Sequence, residues 1–209
     1  MKHLVIIGAG GMGRTLFDMI RESHGYMDEY DIKGYIDSNL NALNGFRNYP
    51  PILGSVLDYI PQHEDVFVCS IGGEMRCKCM KSIIMKGGIF INIIHKTARV
   101  GTNVELGRGN FIGAFTTIAA DAKLGNYNFI QSHVIVGHDV KIGDWNRIDS
   151  YVMCVGGIEI RNEVMIHTAA VLNHNIEIGD GARVGACSFV TRDVDAGTTV
   201  YGNPARRLC

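Results

Sequence analysis

From residue 94 onward an aliphatic side chain recurs at every sixth position: Ile94, Val100, Leu106, Ile112, Ile118, Leu124, and so on to Val190. Sixteen of those seventeen positions are Ile, Leu or Val, and the exception is Cys154. In eight of them the next residue is Gly, as at Gly137, Gly143 and Gly185. The residue four places after the aliphatic is usually small or β-branched. A period of six is neither that of an amphipathic helix nor that of an isolated strand. It predicts a hexapeptide parallel β-helix, in which each hexapeptide is one short strand and a turn. Three hexapeptides make a triangular coil of 18 residues, so residues 94–201 predict about six coils, stacked roughly 4.8 Å apart as in any sheet.

Residues 1–92 follow a different rule. Short apolar runs at 4–7, 33–37, 66–72 and 89–94 alternate with helical stretches in RTLFDMIRESHG and EMRCKCMKSIIMKGG. Strands separated by helices imply a small parallel sheet. The change of period divides the chain into a domain at 1–93 and a second at 94–209. In the first, Gly8, Gly10 and Gly13 follow a strand and precede a helix, with Asp37 further on. That is the spacing of a Rossmann-like phosphate turn, whose amides and helix N-terminus face an anion. The remaining sheet is too small for two mononucleotide halves, so one nucleotide is the more economical ligand; a nicotinamide cofactor and a purely structural turn are the alternatives.

Composition narrows the class. The net charge is −1 with no long run of one sign, which argues against nucleic acid or an anionic membrane as the main partner. Six cysteines fit no zinc or disulfide spacing and read as reduced thiols. No apolar run reaches the ~20 residues of a membrane span, and no cleavable signal region stands at the N-terminus, so the cytoplasm is the expected location.

The coil length places residues 18 apart above one another. Ala120, His138, Gly156, His174 and Arg192 therefore form one outward column. His138 with Asp139 is either a solvated turn or a general base with a carboxylate holding its tautomer. Gly156, one coil on, offers bare backbone whose amide could receive an oxyanion. His174 reads as a turn residue. His133 and His167 have no evident partner and read as structural.

The order of motifs adds to this. The glycine-rich start, IGGEMR at 71–76, NIIH at 92–95, the hexapeptides and the closing YGNPARR resemble the bacterial sugar O-acyltransferases of the sialic acid O-acetyltransferase group. That group includes the UDP-4-amino-sugar N-acetyltransferases of bacillosamine-type glycan synthesis. The resemblance implies a left-handed β-helix, a homotrimer with sites between adjacent subunits, acetyl-CoA as acyl donor and no metal. It implies His138 and Asp139 as the base and its partner. Gly156, Arg147, Gly185 and Ala186 are then expected at the acyl donor, with Arg147 standing where relatives have a second His. Gly10, Gly11, Met12, Asp37, Ser38 and Gly72 are expected at a nucleotide sugar, UDP-linked rather than GDP-linked. The implied activity is direct acetyl transfer to the amine of a nucleotide-linked 4-amino-4,6-dideoxy sugar. O-acetylation of sialic acid or another sugar hydroxyl, and a non-catalytic nucleotide-sugar scaffold, are the rival readings.

Overall fold

The computed structural model describes residues 1–208, the side chain of Glu74 apart; Cys209 lies outside the described residues. The chain divides into two compact units, Met1–Ile93 and Ile94–Cys209.

In the first unit, β1 (Lys2–Ile7), α1 (Gly11–Arg21), β2 (Tyr30–Ile36), β3 (Asp65–Cys69), α2 (Gly73–Met85) and β4 (Ile89–Phe90) form a four-stranded sheet in the order β2-β1-β3-β4. All its pairings are parallel. β1 and β3 are the central strands, and their apolar residues are buried on both faces, hence the unbroken runs LVII and VFVC. The run at 89–94 is not one strand. β4 ends at Phe90, and Ile93–Ile94 opens a different sheet, because Ile94 is already the first rung of the aliphatic ladder. Asp65, whose side chain is wholly buried, anchors the approach to β3. It accepts bonds from Lys33 Nζ (2.7 Å), Tyr59 Oη (2.6 Å) and the Gln62 N–H (2.8 Å). Burial alone would raise its carboxyl, but those three donors together hold it below the usual carboxylate range.

The second unit is a parallel β-helix with three faces. The first face begins at Ile93–Ile94, the second at Arg99–Val100, the third at Glu105–Leu106, and each strand pairs with the one 18 residues on. The aliphatic ladder forms one buried cluster running through all coils. Cys154 fills its rung at zero exposure, and burial pushes its thiol up to about 12. The last coil is two residues short: Val194 bridges Ile178 and Val200 pairs with Val184, both sixteen residues apart.

Every sixth residue between strands takes a left-handed conformation, including Phe115, His133, Asp139, Trp145 and Tyr151. A non-Gly residue there costs about 1–2 kcal/mol. The ladder offsets it, because from Asp121 to Cys187 the N–H of each such residue bonds a carbonyl in the coil below, as His133 does to Ala114 (2.8 Å) and Trp145 to Asn126 (2.9 Å), while Phe115 donates to Thr97 Oγ1 (2.9 Å). Polar residues also enter the core. Asn110, Asn128 and Asn146 occupy the slot expected to be small or β-branched, and are wholly buried. Each Oδ1 accepts an N–H from the coil above: Asn110 from Asn128, Asn128 from Asn146, Asn146 from Val164 (2.8–2.9 Å).

The three faces differ in what they show outside. The third carries Glu105, Lys123, Lys141, Glu159 and Glu177, several paired along the stack, as in Lys123–Glu105 (2.6 Å) and Arg161–Glu177 (2.8 Å). The second carries Thr117, Ile135, Met153, Val171 and Phe189, with Ile135 and Met153 exposed.

Candidate active site

The turn between the second and third faces carries His138 and Asp139. The left-handed backbone of Asp139 (φ 59°) turns its carboxylate back, and Oδ2 lies 2.7 Å from His138 Nδ1. A carboxylate only accepts, so the proton sits on Nδ1 and Nε2 presents its lone pair. The imidazole is 67% exposed and points outward. It lies flat against Gly156, one coil on: a Cβ built at 156 would sit 2.6 Å from both His138 Cε1 and Nε2. Only glycine admits the ring in that position. The Gly156 N–H makes no hydrogen bond among the described residues. The arrangement thus sets a free lone pair, a carboxylate-held imidazole and a free amide donor side by side on a rigid ladder. His174 and Arg192 continue the same column, both exposed.

The other residues expected at the acyl donor stand elsewhere in the chain. Arg147 is on the first face, its Nε bonded to Asp149 Oδ1 (2.7 Å). Gly185 and Ala186 lie where the first face turns into the second. Within one chain the second face separates these three from His138. Gly185 is not open backbone either, for its missing Cβ is replaced by the ring of Tyr201, 2.7 Å from where that atom would be.

In the first unit, the residues expected at a nucleotide sugar gather at the carboxyl edge of β1, β2 and β3. The glycines of the first turn have separate tasks. Gly13 packs against Gly8, whose carbonyl oxygen would be 2.0 Å from a Cβ at 13. Gly10 and Gly11 are exposed, and a Cβ on Gly10 would meet nothing. Gly10 caps α1 with no side-chain bond, and the first turn has no acidic residue, so the helix amides there are uncompensated. Met12 is half-buried in the first turn of the same helix. Gly72 caps α2 at the end of β3, and Ser70 Oγ ties the two turns together, 2.9 Å from the Ile7 carbonyl. β1 and β3 flank the point where strand order reverses, the usual ligand crevice of such sheets. Asp37 spends both oxygens on backbone, accepting the N–H groups of Ala9 (2.7 Å) and Asn39 (2.8 Å), and thereby shapes the first turn; Ser38 beside it is exposed.

The sequence reading passed over two features. Arg14 lies with its guanidinium 3.7 Å over the Phe46 ring, next to Gly11, and brings a cation to the open turn. His167 is not without a partner: its Nδ1 is 3.2 Å from Asp149 Oδ2. The 18-residue spacing from 149 to 167 is the signal that marks it. His133 is sandwiched between Phe115 and Tyr151, ring centroids 5.0 and 4.8 Å away, in a stack at the edge between first and second faces. Among the described residues no group of three or more His, Cys, Asp or Glu is placed to hold a metal ion, and no helix is long and apolar enough to cross a membrane.

Comparison with known proteins agrees in both units. Residues 3–83 match the PglD N-terminal domain family, and residues 157–192 match the bacterial transferase hexapeptide (six repeats). The GDP-perosamine N-acetyltransferase of Escherichia coli O157:H7 is 29% identical over 97% of this chain and 95% of its own. WeeI from Acinetobacter baumannii AYE superposes over the whole of both chains at a TM-score of 0.86 and 28% identity. PerB from Caulobacter crescentus, in complex with CoA and GDP-perosamine, gives a TM-score of 0.88 at 24% identity over 100% of this chain and 98% of its own. Other curated relatives, such as a mimivirus protein and the chloramphenicol acetyltransferase of Klebsiella aerogenes, are matched over only about a quarter of their length. The β-helix shared with the hexapeptide transferases is left-handed, against the usual right-handed crossover.

Proposed function

We propose that this chain, which matches a PglD-type N-terminal domain over residues 3–83 and hexapeptide transferase repeats over residues 157–192, transfers an acetyl group from acetyl-CoA to the amine of a nucleotide-linked amino sugar. The observation that carries this reading is the fit of His138 against Gly156, with a carboxylate on the far nitrogen of the ring.

The mechanism is direct. The acceptor amine lies against His138 Nε2 and attacks the thioester carbonyl while Nε2 takes its proton. Asp139 stabilises the imidazolium through the Nδ1 bond. The Gly156 N–H donates to the oxygen as it gains charge, in the manner of an oxyanion hole. The thiolate of CoA leaves. The open amides of Gly10, Gly11 and Met12, with Arg14 beside them, give the first unit an anion site suited to the phosphates of a nucleotide. The full-length relatives named above support an amino-sugar acceptor and CoA chemistry. The UDP-linked acceptor expected from the sequence stands beside relatives named for a GDP-linked one, so both belong in the test. The exposed apolar second face supports an assembly of several copies, the trimer that the sequence resemblance implies.

The test is turnover. Purified protein with acetyl-CoA and a panel of UDP- and GDP-linked amino sugars should release CoA thiol, and sialic acid should not stimulate it. His138→Ala should lower kcat by about 10²–10⁴-fold. Near-normal turnover in that variant would falsify the base assignment, and release only with sialic acid would replace the amine by a hydroxyl.

A further inference from the structure

The Asp149–His167 pair repeats the design of His138–Asp139 on a different edge. Asp149 Oδ2 lies 3.2 Å from His167 Nδ1, and the His167 Nε2 makes no hydrogen bond among the described residues. Two donors hold the other oxygen: Arg147 Nε and Gln131 Nε2, each at 2.7 Å. The Asp149 side chain is only 11% exposed, so this is a built carboxylate and not a solvated one.

The two pairs border the same surface. His138 stands where the second face turns into the third, Asp149 where the first turns into the second. Between them lies the apolar face, with Ile135 and Met153 exposed on it. Beyond Arg99 in its first coil the second face carries no charged strand residue, unlike the third, and Ile135 and Met153 leave it apolar enough for a second copy to cover. Closed rings of identical chains join two different patches of the same molecule, and here the two patches are the face with its His138 edge and the edge that carries Asp149.

Height along the helix makes the match specific. A coil of 18 residues rises about 4.8 Å, so Gly156 is about 4.8 Å above His138 and Asp149, eleven residues past His138, about 3 Å above it. Rotation about an axis parallel to the coils preserves height. In a ring closed about such an axis, a second copy would present Asp149 level with the gap between the imidazole and the Gly156 amide. His167 lies about 8 Å above His138 and falls outside that gap.

The chemistry calls for such a group. A primary amine must aim its lone pair at the thioester, and two acceptors on its two N–H groups fix that aim. His138 Nε2 is one; Asp139 is occupied on Nδ1. We propose that Asp149 of a second copy of this chain is the other acceptor, receiving the second N–H of the acceptor amine, with Arg147, Gln131 and His167 as positioning residues for its carboxylate. The proposal rests on the amino-sugar reading above.

Subunit complementation tests it. Asp149→Asn keeps the shape and one acceptor oxygen for Arg147 and Gln131 but turns the other oxygen into an NH2 donor; it should lower kcat about 10–10²-fold and leave KM for acetyl-CoA unchanged. Co-expressing differently tagged Asp149→Asn and His138→Ala chains should restore about a third of wild-type activity in mixed trimers, each of which keeps one shared site of its three intact, and about a quarter over all randomly paired chains. Each chain carries one lesion, so a site built within one chain would give no recovery, and that result overturns the proposal. Wild-type turnover in Asp149→Asn overturns it as well, while an inactive His138→Ala leaves the function intact. Full activity in His138→Ala alone would instead remove the base assignment, and this inference with it.

Discussion

Gly156→Ala separates catalysis from folding more sharply than any change to His138 itself. The backbone at 156 is not in the left-handed region, so alanine meets no conformational strain there. Its methyl would sit 2.6 Å from two atoms of the His138 ring, well inside contact distance. The imidazole is the exposed end of a rotatable side chain, so it swings away and the fold absorbs the change. Removing a glycine from the unfolded ensemble contributes about 0.4–1 kcal/mol in favour of the variant, against the lost contact of the ring. For a chain of this size 1 kcal/mol moves Tm by about 2–4 °C, so Tm should shift by no more than a few degrees in either direction. Turnover should suffer far more. A ring displaced by an ångström or more loses its approach to the amine, and misplacement of that order costs about 10²-fold, or about 2.7 kcal/mol in barrier at 1.36 kcal/mol per tenfold. The assay is CoA thiol release at saturating substrates, beside a thermal melt. Gly137→Ala is the control: its Cβ would meet the Gly156 nitrogen at 2.8 Å and the Val155 carbonyl carbon at 2.8 Å, both backbone. Strain of that kind costs about 1–3 kcal/mol and should appear as a lowered Tm. Wild-type kcat in Gly156→Ala, with the melt unchanged, would mean that the imidazole does its work from another position and that its seat on the glycine is incidental.

Two further expectations concern stability. Asp65 is held below the usual carboxylate range, so its contribution is fully present above its unfolded pKa of about 3.9 and is lost as pH falls through the folded value; Asp65→Asn should lower stability near neutrality and flatten the acid limb of a Tm-against-pH curve, and an unchanged acid limb would refute the role. Asn128→Leu removes the acceptor of the Asn146 N–H and the donor to the Gly143 carbonyl (both 2.9 Å) from a wholly buried slot; at about 1–3 kcal/mol for each stranded group, urea unfolding should show a loss of about 2–6 kcal/mol, and a neutral result would show that the asparagine ladder is dispensable.

The hexad rhythm made the register legible. Once a coil is 18 residues, Gly156 must stand over His138, and the structure places them in contact. The same arithmetic reaches His167 over Asp149, but those residues sit in the slot after the aliphatic, where the eye follows glycines. Asn110, Asn128 and Asn146 were hidden for a related reason: the slot is set by volume, and an amide of the right size enters the core when its polar atoms meet backbone, as both do in Asn110 and Asn128, while in Asn146 the oxygen does and the buried Nδ2 has no partner among the described residues. The neighbour of Gly185, Tyr201, was not legible because it lies past the shortened coil, where the period no longer counts positions. Asp37 had the right place at the strand end, but only the folded turn shows both its oxygens spent on amides.

Local periodicity alone therefore determined the ladder, the order of the columns and the neighbour of the catalytic candidate, since a repeating unit that buries one side chain per hexapeptide leaves its register no freedom. Tertiary structure decided what stands across from what. That Asp149 meets Arg147, Gln131 and His167, that Tyr201 closes over Gly185, and that both oxygens of Asp37 meet amides depend on how side chains turn once the faces are wrapped around one axis and the first sheet is formed, which no spacing along the chain encodes.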